Sequence, residues 1–140
     1  MALDAGKLAR IHRVRTLQLN LKRGDESRAI ERVASESALS TRIAQLAANV
    51  APQEASEAGF SLTAAAYYRD RLQQSANAAQ DRVKSAELLA EHAAEATRSA
   101  RRDQSAIEKL MERSDAAAAL KAIRAMEDAP AFRKNRHDPC

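Results

Sequence analysis

From Leu72 onward, apolar residues return in alternating steps of four and three: Leu72, Ala76, Ala79, Val83, Ala86, Ala90, Ala93, Thr97, Ala100, Gln104, Ile107, Met111, Ser114, Ala118. Eleven of these fourteen stations are apolar and none is charged. This is the 3.5-residue repeat of a left-handed coiled coil, and the small alanine knobs predict a partner helix lying close. The first third carries a weaker pattern. Leu8, Ile11, Val14, Leu17 and Leu21 make one stripe and Leu39, Ile43, Leu46 and Val50 another, with Gly24 between them predicting a kink or stutter.

The one strong internal breaker is APQEASEAG, residues 51 to 59, where Pro52 stops the first helix and Gly59 precedes the second. The pattern predicts an all-α fold, a long antiparallel two-helix coiled-coil hairpin or rod. It would fill residues 1–128, with helix 1 over about 4–50, the turn at 51–59 and helix 2 over about 60–127, overhanging the shorter helix 1. Residues 129–140, with two prolines and no period, predict a flexible basic tail.

Composition supports a thin interior rather than a globular core. The 140 residues include no Trp, two Phe and two Tyr, and alanine dominates an apolar content of 45%. Charged residues make up 30%, yet net charge is only +4, and the regular recurrence of apolar residues distinguishes the chain from a disordered polar tail. Cys140 is the single cysteine, so neither a disulfide framework nor a cysteine metal site is expected within one chain. No run approaches the length of a membrane span and the first residues have no apolar signal region, which predicts a cytoplasmic protein.

Charge is unevenly placed. Residues 5–24 contain Lys7, Arg10, Arg13, Arg15, Lys22 and Arg23 with no acid, whereas Glu87, Glu91 and Glu95 stack on one face of helix 2. A turn centred near residue 55 would set Arg23 beside Glu87 and Arg15 beside Glu95 as interhelical pairs. Catalytic chemistry is hard to place: the three glycines are isolated, the three histidines are scattered, and a two-helix hairpin has no deep pocket. The chain is expected to be no enzyme and to hold no cofactor or metal. A basic coiled-coil adaptor that binds nucleic acid or an anionic membrane surface is one reading, although no aromatics interleave with the basic residues to stack bases.

The start of helix 2, AYYRDRLQQSANAAQ, the late LMER, and the alanine-rich end running into MEDAPAFRKN resemble the FliJ family. These are the coiled-coil stalk proteins of the bacterial flagellar type III export apparatus. The resemblance implies a non-enzymatic stalk that inserts into the hexameric export ATPase, contacts the cytoplasmic domain of the export gate membrane protein and escorts export chaperones. It also implies peripheral association at the inner-membrane face of the flagellar basal body and no nucleic acid. In that family the gate contact is a phenylalanine, a leucine, an alanine and a histidine spaced by four, three and four. The same spacing here selects Tyr68, Leu72, Ser75 and Ala79, of which Ser75 and Ala79 depart from the pattern. The ATPase-docking end would be basic, with Lys7, Arg10, Arg13, Arg101 and Arg102 as its residues.

Overall fold

The computed structural model describes residues 4–50 and 59–130. It is an all-α antiparallel hairpin of two helices, α1 (Ala5–Asn49) and α2 (Gly59–Glu127). Of the turn expected at 51–59, residues 51–58 lie outside the described residues and Gly59 already belongs to α2; of the tail expected at 129–140, residues 131–140 lie outside them. Helix ends fall within a residue of the expectation because local chemistry sets them. Asp4 caps α1: its carboxylate accepts from the Gly6 amide at 3.3 Å, and its carbonyl accepts from the amides of Lys7 and Leu8. The end of α2 tightens through Ala129 N–H to the Met126 carbonyl at 3.3 Å, and Pro130 follows.

Burial along α2 follows the expected repeat. Every station from Leu72 to Ser114 is buried or half-buried, whereas Ala118 is exposed. Along the first third the expectation holds at Leu8, which is buried, and at Ile43 and Val50, which are half-buried, and fails elsewhere. Ile11, Val14, Leu17 and Leu21 are exposed, as are Leu39 and Leu46. Beside half-buried Ala9, Thr16, Gly24 and Ser37, the residues turned inward are Leu8, His12, Arg15, Leu19, Glu26, Ala29, Val33, Glu36, Ser40, Ile43, Ala47 and Val50. They fall on one unbroken four-three repeat, with exposed Lys22 at the remaining station. The helix runs through Gly24 without interruption or stutter.

The polar seam on α1 has a physical reason. Small stations on α2 leave space for the stems of long polar side chains, whose heads reach out to the flanks of the opposite helix. Contacts divide the chain into two compact units. In the unit formed by residues 4–16 and 103–130, Arg15 Nη1 donates to Asp103 Oδ2 at 3.1 Å, His12 Nε2 lies 3.2 Å from Glu108 Oε1, and Gln104 donates to the Thr16 hydroxyl. In the other, Leu17–Arg102, Arg82 Nε donates to Glu36 Oε2 at 3.3 Å.

These bonds give the register. The residue numbers of each cross-helix pair add to 118 or 120, so position i faces about 119 minus i, not 110 minus i. The end of α1 at Asn49 therefore stands opposite about residue 70. At the other end, Ala5 stands opposite Ser114. Each helix pair is thus flanked by α2 residues with no α1 beside them.

Candidate functional site

The first uncovered stretch is the start of α2. Leu62, Tyr67 and Tyr68 lie beyond the end of α1 and are exposed, Tyr68 at 52%. The Arg71 guanidinium sits 5.7 Å from the centre of the Tyr67 ring, within cation–π range. Side-chain bonds from Gln74 to Asp70 and from Gln73 to Asn77 brace the same turns. Of the four residues picked for a gate contact, Tyr68 and Ser75 are exposed, Leu72 is half-buried and Ala79 is 0% exposed. Spacing by four and three keeps all four on one helix face, so beyond the end of α1 that face is open at Tyr68, whereas Ala79 faces α1 and has no surface to offer a partner. Ser75 instead lines a shallow dent with Arg71, Gln74 and Ala78.

The five basic residues expected at a docking end are all exposed. Lys7, Arg10 and Arg13 are exposed on α1 in one unit, whereas Arg101 and Arg102 belong to the other, where Arg102 donates to Glu95 at 3.0 Å.

The expected interhelical pairs are replaced by others. Arg15 binds Asp103, eight residues further along α2 than Glu95, as the register requires. Glu95 receives Arg98 and Arg102 from its own helix, while among the described residues Arg23 and Glu87 form no ion pair. Hydrogen bonds from Arg98 and then Arg102 hold the Glu95 carboxyl below the 4.5 of an ordinary glutamate. The folded carboxylate releases its proton more readily than the unfolded one. Its bonds therefore contribute fully above that value and are lost as pH falls through the lower folded pKa. Glu95→Gln should flatten the acid-side loss of helicity, read by circular dichroism from about pH 5 to about pH 2. The effect should be small, since the group is exposed to solvent.

The second uncovered stretch is the end of α2. From Asp115 to Met126 every residue is exposed. Alanines, Leu120, Ile123 and Met126 are distributed all round the helix, and Lys121 and Arg124 are the charges between Asp115 and Glu127. A groove of about 420 Å³ lies beside it, lined by Leu8, Leu110, Arg113, Ser114, Ala117, Ala118 and Lys121. Sequence reasoning anticipated an overhang but not this groove. The signal that could have found it is AAAALKAIRAM, whose apolar residues exceed any single stripe.

Among the described residues no buried side chain is polar or charged, and no group of three His, Cys, Asp or Glu is placed to hold a metal ion. No described helix is long and apolar enough to cross a membrane. No family model, curated protein or solved structure matches the chain. Fold defines the class: an all-α two-helix hairpin.

Proposed function

We propose that the chain is a non-enzymatic coiled-coil stalk of the kind that the FliJ resemblance implies. It inserts into the hexameric export ATPase, contacts the export gate and escorts export chaperones at the cytoplasmic face of the inner membrane. The observation that carries this reading is the bare end of α2. A helical segment whose apolar residues are spread round the helix leaves them in water at a cost, and a surrounding ring of subunits would cover them from several sides at once. Exposed Tyr68, beyond the end of α1, supplies an aromatic anchor of the type that dominates protein interfaces.

The expected result with purified proteins is that the chain hydrolyses no ATP alone and raises the rate of the hexameric export ATPase. A chain shortened after Ser114 should lose that stimulation. Tyr68→Ala should keep its helicity, alanine being the better helix former, and weaken gate binding by about 1–3 kcal/mol. Undiminished stimulation by the shortened chain would sink the docking reading, and unchanged gate affinity would remove Tyr68 from the contact.

The second reading, a basic coiled-coil adaptor for nucleic acid or an anionic membrane surface, is favoured by the acid-free stretch over residues 5–24. It predicts retardation of DNA, or binding to anionic vesicles, that weakens steeply with salt.

A further inference from the structure

We propose that the groove bounded by Leu8 of α1 and by Leu110, Arg113, Ala117, Ala118 and Lys121 of α2 seats one amphipathic partner helix whose apolar stripe is bordered by acidic residues. The floor is apolar and continuous with the covered seam. Beyond Ser114, where α1 has ended, the four-three repeat goes on through Ala118, Lys121 and Ala125, all exposed. The alanines at 118 and 125 admit a close helix, Lys121 between them brings a charge to the row, and the vacated position is the one α1 occupies along the preceding turns.

Charge selects the occupant. At 100° per residue, Arg113, Lys121 and Arg124 fall within about 80° of one another on the groove side. Glu108, Glu112 and Asp115 point roughly the opposite way, and Glu108 is engaged by His12. Among the described residues none of the three groove-side cations forms an ion pair. Arg124 lies in the last turn of α2, where a cation suits the helix dipole. Arg113, more than three turns earlier, has no such role. Glu127 and Asp128 close the helix and limit the basic stretch to Arg113–Arg124. From Ser114 to Glu127 the contact would be about 20 Å long, which implies a weak, reversible complex rather than a permanent one.

The inference does not depend on the stalk reading, and its test contains no ATPase. The probe is a fluorescent 18-residue helical peptide with leucines at three- and four-residue spacing flanked by glutamates, titrated with the full-length chain. A second peptide carries lysines in place of the glutamates. The acidic peptide should bind in the micromolar range, more weakly as salt rises, and at least tenfold tighter than the lysine peptide. The double variant Arg113→Glu, Lys121→Glu should weaken it at least tenfold with an unchanged melting curve, as should Ala118→Glu, whereas Glu112→Gln on the opposite side should not. Equal binding of the two peptides, binding of neither, or full affinity in the double variant would overturn the proposal. So would self-association that excludes the peptide and disappears in Ala118→Glu, which would make a second copy of this chain the occupant.

Discussion

Ala79→Glu should abolish the cooperative pairing of the two helices. Ala79 has no exposed surface and sits at a seam station that the register places opposite Ser40, one turn from Glu36. A glutamate there would hold an unpaired carboxylate between two helices, beside another carboxylate. Removing a charge from water without a partner costs several kcal/mol, about 3–5 kcal/mol for a broken buried pair, against a total stability of roughly 5–15 kcal/mol for a small domain. Glutamate is itself a good helix former, so the loss would belong to packing and not to propensity. Ser75→Glu, four residues earlier on the exposed flank, should stay within about 0.5 kcal/mol of the parent chain. Thermal melts followed at 222 nm would separate the two. A melt for Ala79→Glu that overlays the parent would mean that Ala79 does not face α1.

Cysteines at positions 43 and 76, in a Cys140→Ser background, should form a disulfide within one chain. Ile43 and Ala76 are both half-buried and their numbers match the register of the Glu36–Arg82 bond. A disulfide requires Cα atoms within about 7 Å, so its formation reads register directly. Closing a loop of about 34 residues should stabilise the hairpin by about 3–4 kcal/mol on the chain-entropy account, less any strain. Cysteines at 43 and 67, the pair that a turn centred on residue 55 would align, should remain reduced under the same mild oxidation. Tyr67 is exposed beyond the end of α1, nine residues before Ala76. Non-reducing gels and mass spectrometry distinguish the two constructions, and bonds formed solely between chains would rule out the hairpin.

The two helices differ in how much of their burial could be read from the chain. On α2 the stations Leu72 to Ser114 stand out because charged residues occupy the positions between them, so one face alone suits a partner. On α1 the large apolar residues Ile11, Val14, Leu17 and Leu21 draw the eye to a stripe that stays in solvent. Inward stations instead include His12, Arg15 and Glu36, which no hydrophobic pattern would nominate. Their burial depends on what faces them. Opposite an alanine-rich seam, a long polar side chain can lie across the interface and end on Asp103, Glu108 or Arg82.

The candidate surfaces divide the same way. The exposed Tyr67 and Tyr68 were visible as aromatics at a helix start, and the overhang of α2 followed from helix lengths. Ala79 was legible as a seam station, whereas the groove beside Leu8 was not visible. By itself the sequence determined that there are two helices, that Asp4 begins the first and Pro130 closes the second, and which face of α2 is covered. Those features arise from capping, backbone restriction and periodicity within a few residues of one another. Tertiary structure alone decided the register, the polar seam of α1 and the surfaces left bare, because each depends on which residues meet across the pair. Those partners lie as many as 96 positions apart, and the match is made by side-chain fit and charge along the whole interface rather than by the midpoint of the turn.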